Sequence, residues 1–295
     1  MEFLEQVEPF VKIKDEKLNV EFLSQYNLLL QVSYDYFRMA IVDSLNNRCL
    51  HLEEYKIENV HGLSGKLLEQ LHVIYDEHHL LNAGFWKSIK LNIVNDKFTL
   101  VPSSLFIEES AKEYLKFNCD IDTIFDTVSF YKHRNSDIVN VHAADSKIVN
   151  WFKSIYPAKK IELTHQTSAC IEGMLQNVKE LERKTMLVSM DNNMLTILVT
   201  NNRKLQFCNT FSYKAEEDLI YFILLVIDEL KLDRETDAVI LFGDIRHDSE
   251  VFTRLYQYIR NLRFGTKPSN ISFSFWFDEV FDHKYFDLYS MHLCE

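Results

Sequence analysis

Three short stretches of this sequence carry residue types at spacings that could do chemistry. His72, Asp76 and His79 stand at i, i+4 and i+7. On one helix face that spacing would turn three ligands toward a cation. No fourth ligand is evident beside them, so the plainer reading is a solvated polar face with no metal. Gly62-Leu63-Ser64-Gly65-Lys66-Leu67 contains the Gly-Lys pair of a phosphate-binding loop. Such a loop also needs a glycine five residues before that pair and a hydroxyl after it. Val60 and Leu67 occupy those positions, so the stretch reads as a loop entering a helix with Ser64 as N-cap. Asp244, His247 and Asp248 follow an apolar run, at the kind of strand end where α/β proteins gather their sites. They could hold a small ligand or a water-bridged cation, or simply cap the next helix.

A fourth stretch suits binding rather than catalysis. Phe273, Phe275, Trp276, Phe277, Phe281, Tyr285, Phe286 and Tyr289 are interleaved with Asp278, Glu279, Asp282 and Asp287. Rigid rings bury large area at low entropic cost. Trp276, Phe277, Phe281, Tyr285 and Phe286 are therefore a candidate interface, self-association included. The alternative is a last strand and helix packed on the core. The expectation is a mixture, with the Phe273 and Phe275 face inward and part of 276–289 exposed.

The elements that must position these groups come in two similar series. In the first, 27–33, 36–43 and 49–56 are β-rich runs joined by Tyr34-Asp35 and Leu45-Asn46-Asn47. In the second, 185–190, 194–200 and 204–211 are joined by Asp191-Asn192-Asn193 and Asn201-Asn202-Arg203. Gln31-Val32-Ser33-Tyr34-Asp35 aligns over Ser189-Met190-Asp191-Asn192-Asn193 without a gap, an internal repeat. The first meander leads to a helix at 63–79, strands at 89–94 and 98–101, and a helix at 103–116. Strands at 127–131 and 138–142, a helix at 144–155, a strand at 161–164 and a helix at 167–181 complete that half. The second leads to a helix at 215–230, a strand at 238–242, a helix at 249–261 and a strand at 271–275. Two β-β-β-α-β-α-β units predict a tandem α/β fold. The charged break Glu182-Arg183-Lys184 divides it into 1–182 and 183–295.

Composition narrows the functions open to such a fold. The 295 residues are 47% hydrophobic and 26% charged, enough for a core in each half. Only 6 glycines and 4 prolines are present, so glycine-rich phosphate loops have little to be built from. The net charge of -12 disfavours phosphate backbones and anionic lipid, which argues against nucleic acid. The longest apolar run, 219–227, is about half a membrane span, so no direct membrane insertion is expected. Cys49, Cys119, Cys170, Cys208 and Cys294 are odd in number and scattered. They form neither a disulfide framework nor a zinc site. With no signal-like start at Met1-Glu2-Phe3-Leu4-Glu5, they point to the cytoplasm.

The double unit resembles the actin-like ATPase superfamily, which shares its core with RNase H-like proteins. It is most similar to the PilM-like branch. The features that carry the likeness are the two meanders, Val139-Asn140-Val141-His142-Ala143-Ala144-Asp145 and Ala238-Val239-Ile240-Leu241-Phe242-Gly243-Asp244. The whole chain also resembles a family of bacterial proteins of unknown function, domain-of-unknown-function family 3822. The superfamily resemblance implies an Asp-x-Gly phosphate site at the end of each first strand. The carboxylate there holds the Mg²⁺ shell or a water, and the glycine lets N–H groups close on phosphate. Here those sites read Gln31-Val32-Ser33 and Ser189-Met190-Asp191, with neither motif intact. Asp191 sets a carboxylate where phosphate would approach, and Arg38 falls where the branch often has Lys. The glycine pair of the adenosine site is reduced to Phe242-Gly243, followed by Asp244. Gln31 also lacks the inward Asp that a nuclease needs. The resulting expectation is a non-catalytic binding or scaffold protein with no cofactor and an unidentified protein partner, with a homodimer as one form. The alternatives are a divergent ATPase or small-molecule kinase with a rearranged site, and a membrane-recruited assembly factor by analogy with PilM.

Overall fold

The structure, a computed structural model, describes residues 8–60, 62–76, 78–177 and 183–294. A first edge strand β1 (Val11–Lys14) precedes the meander β2 (Tyr26–Val32), β3 (Tyr36–Asp43) and β4 (Arg48–Lys56). Then come α1 (Ser64–Asp76), β5 (Ser88–Ile93), β6 (Phe98–Pro102), α2 (Ala111–Lys116), β7 (Asp126–Lys132) and β8 (Ile138–Asp145). α3 (Ser146–Ile155), β9 (Ile161–His165) and α4 (Gln166–Asn177) follow. The second meander is β10 (Thr185–Asp191), β11 (Met194–Asn201) and β12 (Lys204–Ser212). α5 (Glu216–Glu229), β13 (Ala238–Gly243), α6 (Glu250–Tyr256), β14 (Leu262–Phe264) and α7 (Phe286–Ser290) complete the chain.

The two main sheets share one topology. The first runs β1-β4-β3-β2-β5-β9 and the second β12-β11-β10-β13-β14. In each, an antiparallel meander is followed on its inner side by two parallel strands. The expected α/β repeat is present, and β2 and β10 lie in separate sheets. A small antiparallel sheet, β6-β8-β7, is inserted between β5 and β9. The tight turns use Asn47, Asn192 and Asn202 at φ 47, 45 and 48. Asparagine tolerates that left-handed geometry better than most residues, which is why it marked the turns in the sequence.

Packing follows from side-chain alternation. Leu28, Leu30, Phe37 and Met39 face α1 and α3, with Trp86 and Phe152 in the same core. Leu29, Ala40 and Val42 face the other way. That face is covered by Phe277, Tyr285, Leu288 and Tyr289 from the end of the chain. Lys90 of β5, almost fully buried, donates to the carbonyls of Met291, His292 and Cys294. The second sheet buries Met186, Val188, Ile197 and Leu241 against α5 and α6. No described helix is long and apolar enough to cross a membrane.

Several expected elements differ. The predicted helix 103–116 is two single 3₁₀ turns and the short α2, because Phe106 and Ile107 between the turns take extended backbone angles. The helix expected at 249–261 stops at Tyr256, and 262–264 becomes β14. The strand expected at 271–275 is absent: Ser272 makes one isolated bridge to Arg48, and Phe275–Glu279 is a 3₁₀ turn. That turn leaves Phe275 66% exposed rather than inward. α1 ends at Asp76, so His79 does not share its face with His72 and Asp76. Of the helix expected at 167–181, residues 178–181 lie outside the described residues, as does Glu182.

A latched cleft between the two hairpins

The candidate site is built on one rung of the first sheet. Gln31, Arg38 and Glu54 are direct cross-strand neighbours on β2, β3 and β4, on the face that also carries Leu29 and Ala40. Direct neighbours on one face lie within side-chain reach. Arg38 Nε donates to Glu54 Oε1 at 2.8 Å, and Arg38 Nη1 donates to Gln31 Oε1 at 3.2 Å. Gln31 Nε2 passes the network on to Asp287 Oδ2 of α7 at 2.6 Å. Glu54 Oε2 also accepts from Lys284 at 2.9 Å and from the Tyr285 hydroxyl at 2.7 Å.

The second unit enters this network through Asp191 at the end of β10. Arg38 Nη1 and Nη2 donate to its two oxygens, each at 3.3 Å, and the Tyr36 hydroxyl donates to Oδ2. Tyr36 lies two residues before Arg38 on the same face, and its ring stacks under the guanidinium at 3.6 Å. The hairpin tips of the two units are thereby tied to each other. The carboxylates of Asp191 and Glu54 outweigh burial and hold Arg38 firmly charged. Burial pushes the Asp191 carboxyl up to about 6, with Asp287 adding to the rise and Arg38 opposing it. Glu54 is held near 2, because Arg38 and Lys284 overcome its desolvation.

A cavity of about 820 Å³ opens beside this latch. Arg38, Lys56, Arg246 and Lys284 line it together with Asp35, Glu54, Glu58 and Asp244. The charges match in number, so the cavity offers no excess of positive potential to a phosphate chain. Phe10 and Phe281 add exposed rings to its wall.

The remaining sequence candidates divide. Asp244 lines the cavity, but His247 packs on Phe264 at 3.9 Å and Asp248 is held by Arg246 at 3.0 Å. Ser249 is the residue that caps α6, through Phe252 N at 3.2 Å. Ser33 closes the first turn, its N–H bonding Tyr36 O at 3.0 Å. Ser189 sits between Thr196 and Phe242 in the register. Gly243 has φ +84, and a side chain there would run into the Met190 carbonyl. Of the candidate interface, Phe277, Tyr285 and Phe286 are buried in their own chain and belong to the core. Trp276 at 37% and Phe281 at 53% are exposed. His72 meets Trp151 edge-on, and no group of metal ligands forms among the described residues. Sequence reading missed Tyr36, Glu54, Lys284 and Asp287 as members of the site. Glu54 carried the one available signal, an acidic residue directly opposite Arg38 once the meander register is drawn.

Two sheets that share one five-strand order, the first with β1 added at its edge, and that meet where their first hairpins face each other, have the actin-like ATPase fold. The chain belongs to the family described as "Protein of unknown function (DUF3822)", whose model matches residues 15–262. Its fold is similar to that of a Bacteroides thetaiotaomicron protein with actin-like ATPase fold and unknown function. That likeness has 20% identity and a TM-score of 0.78, over 94% of this chain and 99% of the other. It is also similar in fold to a structure of the PilM-PilN type IV pilus biogenesis complex. There the identity is 10% and the TM-score 0.60, over 90% and 97% of the two chains. No curated protein matches the sequence.

Proposed function

We propose that this protein acts as a non-catalytic binding or scaffold protein whose two facing hairpins are latched together by their own side chains. The observation that carries this reading is Asp191 gripped by Tyr36 and Arg38 across the two hairpins. Magnesium-bound triphosphate needs a carboxylate free for the metal shell and backbone N–H groups free for phosphate. Here the carboxylate on the second hairpin is spent on an internal ion pair, and Gln31 and Ser33 replace the first. The group does not fit, and no catalytic step follows from it.

The same reading takes the chain as two units, 1–182 and 183–295, joined by that latch. The five cysteines are free thiols, which suits a cytoplasmic protein. Fold likeness to a structure of the PilM-PilN complex supports a protein partner. The test is thermal melting with millimolar ATP and Mg²⁺. A ligand at 100 times its Kd adds about 2.7 kcal/mol, a shift of several degrees. No shift is expected. A reproducible shift that disappears in Asp191→Asn would overturn this reading and favour the divergent ATPase or kinase, which release of phosphate or transfer of it would then have to show.

A further inference from the structure

β12 is the outer strand of the second sheet, and β6 is the outer strand of the small sheet. Among the described residues, β12 pairs only with β11 and β6 only with β8. Both border a single cavity of about 710 Å³. Their contributions are consecutive, 98 to 102 from β6 and 205 to 210 from β12. A strand that turns a face to a cavity contributes every second residue, because its side chains alternate. Consecutive residues mean that the cavity runs along strand edges, where unpaired N–H and C=O groups lie.

The two edges are not equally free. The Cys119 thiol donates to the Phe98 carbonyl at 3.2 Å, covering one end of β6. On β12 a bulge falls at Gln206, since Val199 pairs with Phe207 and Thr200 with Leu205. From Phe207 to Ser212 the register with β11 is regular. Between the edges the floor is apolar, with Leu100, Leu205 and Cys208 packed on Cys170, Ile171 and Met174 of α4. Asp96 is the one charged residue of the described lining.

We propose that this groove takes an extended segment of a partner protein as an added strand on the β12 edge. The segment alternates apolar and polar residues and is neutral or basic. The regular edge inside the groove runs from Phe207 to Thr210, about 13 Å at about 3.3 Å per residue, enough for about four residues of the partner. Backbone pairing supplies affinity, and the apolar floor selects every second side chain. Asp96 and the chain's net charge of -12 repel acidic segments. A second copy of this chain fits less well, because it would bring a whole sheet into a space bounded by β6. The groove shares no lining residue with the cleft at Arg38 and Asp191, so this inference stands apart from the reading of that cleft.

The test selects a phage-displayed library of random twelve-residue peptides against the full chain. Enriched peptides should alternate apolar and polar residues and lack acidic ones. Their synthetic forms should bind one to one, and N-methylating alternate amides on one edge should weaken them about tenfold or more. Cys208→Pro and Asn209→Pro remove N–H groups of opposite parity, one from the β11 ladder and one from the groove. The variant that melts like the parent has lost the groove donor and should bind about tenfold more weakly. If both variants unfold, the N-methylated peptides decide. The proposal is overturned if no peptide is enriched, if N-methylation on neither edge matters, or if the folded proline variant binds as well as the parent. Self-association through β12 with no peptide enriched would also overturn it, in favour of a second copy.

Discussion

Asp191→Asn tests the latch through pH. Burial raises the Asp191 carboxyl from 3.8 to about 6, helped by Asp287 and resisted by Arg38 and the Tyr36 hydroxyl. The folded chain therefore binds a proton more tightly than the unfolded chain does. The stability this group contributes is full below the unfolded value and is lost as pH rises through about 6. At 1.36 kcal/mol per pH unit the whole loss is roughly 3 kcal/mol, of which about 2 kcal/mol falls between pH 4.5 and 7.5. The asparagine variant has no proton to lose. Wild type should thus weaken relative to the variant by about 2 kcal/mol across that interval. Urea unfolding of both proteins at the two pH values, followed by circular dichroism, reads the difference directly. Parallel pH profiles, or a wild type that gains on the variant as pH rises, would refute the argument that burial of this charge dominates the cleft.

Glu54→Gln should show the opposite sign. Glu54 is depressed from 4.5 to about 2, so its stability is present above 4.5 and is lost as pH falls toward 2. The variant should be weaker by roughly 3 kcal/mol at pH 7, with the gap closing in acid. Gly243→Ala should cost at least about 2 kcal/mol in urea unfolding, since it combines a left-handed residue with a clash against backbone that cannot retreat. Phe277→Ala should cost about 3–5 kcal/mol and Phe281→Ala under about 1 kcal/mol in the same assay, because the first ring is buried and the second exposed.

The sequence showed the repeat because both meanders announce themselves locally. Their strands alternate around apolar runs, and their turns carry asparagine. It did not show β1 or β14, which are short and owe their pairing to neighbours already in the sheet. It misplaced 271–275 because a β-rich run is the same whether it joins a sheet or drops onto one. The site was half legible. Arg38 and Asp191 each stood out against the resemblance, but their meeting depends on how two sheets face each other. Gln31 reaches Asp287 across 256 positions, and Tyr285 reaches Glu54 across 231. No local pattern reports contacts of that span. The aromatic end mixed two roles in one run: within the 3₁₀ turn Phe275–Glu279 alone, Phe277 is buried while Phe275 and Trp276 are exposed.

The far face of the first sheet has a consequence for how the chain assembles in time. Leu29, Ala40 and Val42 share their cluster with Ala169 of α4, but Phe277, Tyr285, Leu288, Tyr289 and Met291 of the chain's end belong to it too, and Lys90 finds its carbonyl acceptors more than 200 positions downstream. During synthesis the first meander is made early, yet one side of it stays partly wet until the end of the chain arrives. Contacts of such separation demand loop closure before they return any energy, which slows folding and lengthens the life of partly open forms. A chain cut before residue 271 would lack not an appendage of its second half but the lid of its first, with an apolar sheet face left open to its neighbours.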